Sequence, residues 1–255
     1  MNAIAYRVAP SLLGIVRTEA WYEFLKVLRA PSFAVPTLLF PLVFYVMFAV
    51  VLSGQWHDYD KATYMLATFC VFGVVGPALF GFGVGIAMER EQGLLQLKRV
   101  SPMPVSAYFL AKIAMSLLFA LSTVLLLSAA AFILAGVRMP PGTWLLLVFT
   151  LLIGTLPFSA LGLLIGTLVK GQGAVAVVNL IYMPMAVLSG LWMPLFAFPA
   201  WVQQLAPIWP TWHLSRLALG VIGQVPVAQP WLHIGVLLAF TAVFTVLAAR
   251  RWQAL

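Results

Sequence analysis

The residues best suited to chemistry are gathered in one short stretch. It reads Glu89-Arg90-Glu91-Gln92-Gly93-Leu94-Leu95-Gln96-Leu97-Lys98-Arg99-Val100-Ser101-Pro102. Its charged start follows directly on an apolar run. Gly93 can end or bend that run. Leu94, Leu95 and Leu97 give a short apolar face, flanked by Lys98 and Arg99. Pro102 stops the segment, because proline cannot continue a helix interior. The pattern predicts a short helix parallel to a membrane, with an apolar face and a charged rim. Such an element docks into a groove of a partner, or serves only as a basic loop that fixes orientation. The residues alone leave both readings open.

Catalytic patterns are missing from the sequence. It contains no GxxxxGK[ST] phosphate loop, no HExxH, no CxxC and no GxSxG. His57, His213 and His233 show no metal-ligand spacing, so no metal site is expected, and each reads as an exposed, solvated side chain. Cys70 is the only cysteine, which excludes a disulfide framework. Thr155, Ser159, Asn179 and Ser189 are the notable polar groups in apolar stretches, where they also serve helix packing. The apolar cores hold essentially no Asp, Glu, Lys or Arg, whereas ion-coupled transporters need such groups near mid-membrane. If the protein moves something actively, the energy comes from another polypeptide.

The elements that hold these residues are membrane spans. Of 255 residues, 64% are hydrophobic and 8% charged, against about a quarter charged in a soluble domain. A helix crosses the hydrocarbon with about 20 apolar residues. Six stretches qualify: 33–52, 64–88, 113–136, 144–169, 174–192 and 232–249. With the N-terminus in the cytoplasm, Arg7, Arg17, Lys26, Arg29, Arg90, Lys98, Arg99, Lys112, Lys170, Arg250 and Arg251 all lie inside. Only Lys61, Arg138 and Arg216 then lie outside. The net charge of +8 thus reports orientation rather than nucleic-acid binding. Trp56, Trp144, Trp201, Trp209, Trp212 and Trp231 cluster near the outer boundary, as an interfacial belt would.

The first residues carry Glu19 and Glu23 and lack a compact apolar core, so they are not a cleavable signal. Residues 11–29 predict an amphipathic helix lying on the cytoplasmic leaflet. Leu13, Val16, Ala20, Phe24, Val27 and Leu28 form its apolar arc; Glu19, Glu23 and Lys26 form the polar one. Arg17 interrupts the apolar arc and has to snorkel. Pro31 turns the chain into the first span. Two long segments lie between spans, 89–111 inside and 194–230 outside. The second is too apolar for a solvated loop, and its prolines forbid one continuous helix, so short helices dipping into the outer leaflet fit. An aromatic outer cap is the alternative.

The sequence Glu89-Arg90-Glu91-x-Gly93-x-Leu95, then Ser101-Pro102, Tyr108 and Lys112, resembles the ABC-2 type permeases of ATP-binding cassette exporters. A second block is similar to the same family. It comprises Lys170-Gly171-Gln172, Asn179, Ser189-Gly190-Leu191-Trp192-Met193-Pro194, Pro199-Ala200-Trp201, Pro207 and Pro210. The order and spacing of the blocks extend the resemblance over nearly the whole chain. Leu94 and Gln96 depart from the family, which often has Thr and an acid there.

The resemblance implies an all-α integral membrane fold in a single domain, 1–255. Its parts are six transmembrane helices, an N-terminal connecting helix over 1–32, a cytoplasmic coupling helix, and a re-entrant outer hairpin between the fifth and sixth spans. Glu89, Arg90, Glu91 and Gly93 would form the coupling element, closed by Ser101 and Pro102. Ser189, Gly190, Pro194, Pro199, Trp201, Pro207 and Pro210 would mark the hairpin. Two ATPase subunits would carry ATP and magnesium, beneath two copies of the permease in a bacterial plasma (inner) membrane, with both termini cytoplasmic. The path would run between the copies along the second and fifth spans. Phe69, Phe72, Asn179, Tyr182, Met183 and Met185 are its candidate lining, though each could equally face lipid or the bundle core. The expected cargo is hydrophobic or amphipathic: a drug, a lipid or a lipid-linked glycan. The rival expectation is a non-transporting anchor for a mechanically acting ATPase.

Overall fold

The computed structural model describes residues 11–52, 55–56, 59–100 and 103–253. Helix α1 (Leu12–Leu28) starts where the Ser11 side chain accepts a hydrogen bond from the Gly14 amide at 3.2 Å. Pro31 then occupies the first turn of α2 (Pro31–Tyr45), where its missing N–H costs nothing, and a π-wound turn (Val46–Val51) continues it. Two short antiparallel strands follow, β1 (Gln55–Trp56) and β2 (Tyr59–Asp60). The Asp60 carboxylate accepts from the Thr63 amide at 3.0 Å and opens α3 (Lys61–Leu79). A second π-wound turn (Phe80–Val84) joins α3 to α4 (Gly85–Glu91). Beyond lie α5 (Leu94–Val100), α6 (Val105–Leu134), α7 (Pro141–Ile153), α8 (Leu156–Leu168) and α9 (Gly173–Leu188). The last part holds α10 (Ala200–Leu205), α11 (Pro210–Val221) and α12 (Pro230–Gln253), with short 3-10 turns before and after α10.

Among the described residues, five stretches are long and apolar enough to cross a membrane: Phe33–Val51, Lys61–Glu91, Val105–Leu134, Pro141–Leu168 and Pro230–Trp252. Gly173–Leu188 is a sixth, shorter apolar helix. The expected fifth span, 174–192, is cut short by its own C-cap. Gly190 adopts φ +75°, and the Leu191 amide donates to the Ala186 carbonyl at 3.1 Å. The fourth stretch is broken between α7 and α8, since Pro157 offers no N–H to continue the ladder. The segment 89–111 is shorter than its sequence suggests. Helix α6 begins at Val105, so Tyr108 and Lys112 already belong to it.

The second span is the axis of the bundle. From Tyr64 to Leu79 every residue is buried, against α2, α6, α8 and α11. Glycines set how closely the neighbours approach. A Cβ on Gly162 would stand 2.9 Å from the Ala78 carbonyl oxygen, and one on Gly166 would stand 2.9 Å from that of Gly83. The Gly162-x-x-x-Gly166 face of α8 therefore presses backbone to backbone on the second π-wound turn, as small-residue packing in membranes allows.

Candidate functional site

At the end of the bundle that carries α1 and α5, seven side chains from four helices form one polar cluster. The Lys112 ammonium on α6 is 1% exposed and donates to Glu23 Oε2 on α1 and to Glu89 Oε1 on α4, each at 2.8 Å. Lys26 reaches the same Glu89 oxygen at 2.7 Å, and the Tyr108 hydroxyl donates to Glu89 Oε2 at 2.7 Å. Lys98 on α5 donates to Glu19 at 2.6 Å and to Glu23 at 3.2 Å. Burial disfavours the Lys98 charge, but the hydrogen bond it donates to Glu19 and the fields of Glu89 and Glu23 prevail and raise its pKa above the ordinary value. The two buried carboxylates, Glu23 and Glu89, and the buried ammonium are thus paired, as a low-dielectric site demands.

This corrects the expected orientation of the N-terminal helix. Glu19, Glu23 and Lys26 are its docking face, while Leu13 and Leu28, from the apolar arc, are exposed. Phe24 and Val27 of that arc do pack inward, against Ala34, Met115 and Phe119.

The remaining coupling candidates fasten α4 to its other neighbours. Arg90 Nη1 donates to the Thr167 carbonyl of α8 at 2.7 Å. The Glu91 carboxylate lies over Gly171, where a Cβ would overlap it, and Gly171 has φ +53°. Gly93 (φ +73°) makes the turn between α4 and α5. Ser101 and Pro102 lie outside the described residues. Glu89 is buried and Arg90 is turned to α8, so the surface free to meet a partner belongs to Gln92, Gln96, Leu97 and Val100. Beside it runs a groove of about 430 Å³ lined by Lys26, Leu94, Leu97 and Lys98.

A second feature lies deeper. A cavity of about 400 Å³ opens between α2, the second span and α9. Of the sequence candidates, Phe72, Asn179, Tyr182 and Met183 line it. Phe69 and Met185 are fully buried elsewhere in the core. The Tyr182 ring stacks on Phe72 at 4.9 Å, and its hydroxyl donates to the Phe72 carbonyl at 2.7 Å. Gly76 leaves room for that hydroxyl, since a Cβ there would stand 3.3 Å from it. The other polar groups of the wall also bond to nearby backbone: Thr37 to the Phe33 carbonyl at 2.7 Å, Asn179 to the Val175 carbonyl at 3.1 Å. The wall therefore presents mainly apolar surface from Phe33, Phe40, Phe72, Phe80 and Met183.

At the opposite end, the prolines of segment 194–230 divide it into short helices, with Pro194, Pro199 and Pro210 each at a helix start and Pro207 in the turn between α10 and α11. Ser189 shares a hydrogen bond with Thr211, which ties the end of α9 to α11. Trp201 is exposed.

His213 and His233, expected in solvent, are buried and bonded to each other, Nδ1 to Nδ1 at 2.9 Å, between α11 and α12. His213 Nε2 also bonds the Pro207 carbonyl at 2.9 Å. The expected solvated His57 falls outside the described residues. Burial holds His213 below its ordinary pKa of 6.5, with the Pro207 bond acting the other way. A released imidazole would protonate near 6.5, and the anchored one only at lower pH. The clasp is complete above that value and weakens as pH falls through it. Arg216, also on α11, is the charged neighbour of this contact, lying over the Trp212 ring that touches both histidines. Protection of the α11 amides, corrected for the pH dependence of intrinsic exchange, is expected to fall at mildly acidic pH in the wild type. His213→Gln should flatten that pH dependence; a profile unchanged by the substitution would refute the clasp.

The model of the ABC-2 type transporter family matches residues 16–222. The chain belongs to the ABC-2 type transporter family. It is also 30% identical over 240 residues to "Putative transport permease YvfS" of Bacillus subtilis (strain 168), a match covering 92% of this chain and 96% of that protein. The matched ABC-2 region includes the cavity and all seven residues of the polar cluster, and leaves out α12. Sequence reasoning missed three parts of this ABC-2 permease: the inward face of α1, the position of Lys112 between two carboxylates, and Trp192. The Trp192 ring packs edge-on to Phe72 at 5.7 Å and against Phe44 at 5.4 Å. The charge pattern of α1 held a usable signal, because Glu19, Glu23 and Lys26 recur at helical spacing on one side.

Proposed function

We propose that this ABC-2 permease is the membrane-spanning subunit of an ATP-driven exporter, with both termini in the cytoplasm of a bacterial cell. Two copies stand over two ATPase subunits, which bind the ATP and magnesium. One observation carries the reading. The single stretch Lys61–Glu91 bears Glu89, Arg90 and Glu91 at one end and Phe72, Gly76 and Phe80 of the cavity wall along its length. A displacement applied at α5 and α1 is therefore delivered to the cavity through one continuous rod. The π-wound turn at Phe80–Val84 interrupts its regular ladder beside the cavity, a placement typical of functional segments. The apolar wall favours a hydrophobic or amphipathic cargo that enters from the inner leaflet and leaves outward.

The test pairs purified permease with its ATPase in vesicles and measures cargo-stimulated ATP hydrolysis and export. Glu91→Ala and Gly93→Pro are expected to abolish the stimulation while the complex still assembles. Proline cannot adopt φ +73° and lacks the amide that Gly93 donates to Arg90. Stimulation that survives both substitutions would sink the coupling assignment. ATP turnover that no apolar cargo alters would favour a non-transporting anchor.

A further inference from the structure

Between α1, α6 and α7 runs a groove of about 770 Å³ that the transport reading does not use. We infer that it is a site for one anionic phospholipid, whose phosphodiester is held by Arg17 and whose acyl chain lies along Leu117, Leu118, Leu121 and Leu152.

The assignment rests first on charge. The chain has six acids, and four of them belong to the end that carries α1. Glu19 is held by Lys98, Glu23 by Lys112 and Lys98, and Glu89 by Lys26 and Lys112, while Glu91 lies over Gly171. None of these four acids pairs with Arg17, which forms no ion pair among the described residues. The ten residues before Ser11 contain no acid either. A guanidinium at a membrane boundary with no protein counter-ion suits a phosphate, which it can grip with two parallel N–H donors.

Shape supplies the second argument. Trp21 and Tyr22, both exposed, flank Arg17 as interfacial side chains do at headgroup level. From Ala114 the wall descends along α6 to Leu121, about 10 Å of helix, and every lining residue of α6 and α7 is apolar. The groove therefore has a cationic mouth and a hydrocarbon floor. Its occupant would brace α1 on the side opposite Glu23, holding the docking face against Lys112.

The inference rests on the cytoplasmic placement of α1, but its test needs neither ATPase nor transport. Purified permease, equilibrated in nanodiscs containing equal phosphatidylglycerol and phosphatidylcholine, is analysed by native mass spectrometry after mild delipidation. Wild type should retain one phosphatidylglycerol, and Arg17→Gln should lower that retention about fivefold, the effect of one basic residue near an anionic surface. Arg17→Lys should recover part of it, and Arg29→Gln should change nothing. Leu118→Trp, which fills the groove but spares the cation, should also expel the lipid. Equal retention by wild type and Arg17→Gln overturns the site. So does a loss of headgroup preference, or displacement of the lipid by inorganic phosphate, which would mark a plain anion site. Labelling of a cysteine placed at exposed Leu13, from one side of sealed vesicles, tests the orientation separately.

Discussion

Lys112→Met is expected to destabilise the permease by about 3–5 kcal/mol, as removal of one partner from a buried ion pair does. The ammonium is 1% exposed and is the shared donor of Glu23 and Glu89, both buried. Met matches its volume, so the loss is one of charge pairing rather than packing. Lys26 offers the contrast. It touches the same Glu89 oxygen at 2.7 Å, yet its side chain is 55% exposed, and Lys26→Met should cost only about 0–1 kcal/mol. The triple variant Glu23→Gln, Glu89→Gln, Lys112→Met removes all three charges and should regain much of the stability. Unfolding of the purified protein in detergent, followed by far-ultraviolet circular dichroism, ranks these variants. If Lys112→Met melted with Lys26→Met, the cluster would have no special weight.

Gly162→Val is expected to have an effect of similar size by a different route. Its Cβ would stand 2.9 Å from the Ala78 carbonyl oxygen and 3.0 Å from that of Leu79. Backbone carbonyls of a packed helix cannot rotate aside as a side chain can, so α8 must withdraw from the second span. Overpacking of this kind costs about 1–3 kcal/mol, and more where backbone must move. Separating α8 also removes the surface on which Arg90 finds the Thr167 carbonyl at 2.7 Å, so cargo-stimulated turnover should fall with stability. Gly142→Val is the control, because nothing lies within 4 Å of a Cβ there. Melting temperatures of the two variants should differ clearly; coincident values would remove the close-contact argument.

What could be read in advance follows from range in sequence. The apolar helices are local features, visible in any window of about 20 residues. The glycines of α8 were readable for the same reason: their spacing of four is itself the packing motif. The polar cluster was not readable. The contacts that α1 makes in it join residues 63 to 89 positions apart, and an acid whose partner lies that far away looks like part of a solvated face. Glu23 was assigned to such a face and lies at its centre. The same holds for His213 and His233, two isolated imidazoles until α11 and α12 are brought together. The cavity was legible by span but not by rotation. Phe72 and Phe69 lie one helical turn apart, yet only Phe72 reaches the opening, because Phe69 is covered by Phe48 at a ring separation of 6.3 Å.

Chain order gives the polar cluster a direction in time. Both carboxylates, Glu23 and Glu89, precede Lys112 in the sequence. During synthesis the acids are therefore present before the helix that carries their cation. A lysine within a 30-residue apolar helix is a poor passenger alone, but it emerges to find two anions waiting. Reversing that order, by a circular permutation that makes α6 first, would leave Lys112 to enter the bilayer without them. The arrangement thus favours an insertion that closes on its last ion rather than one that starts from it.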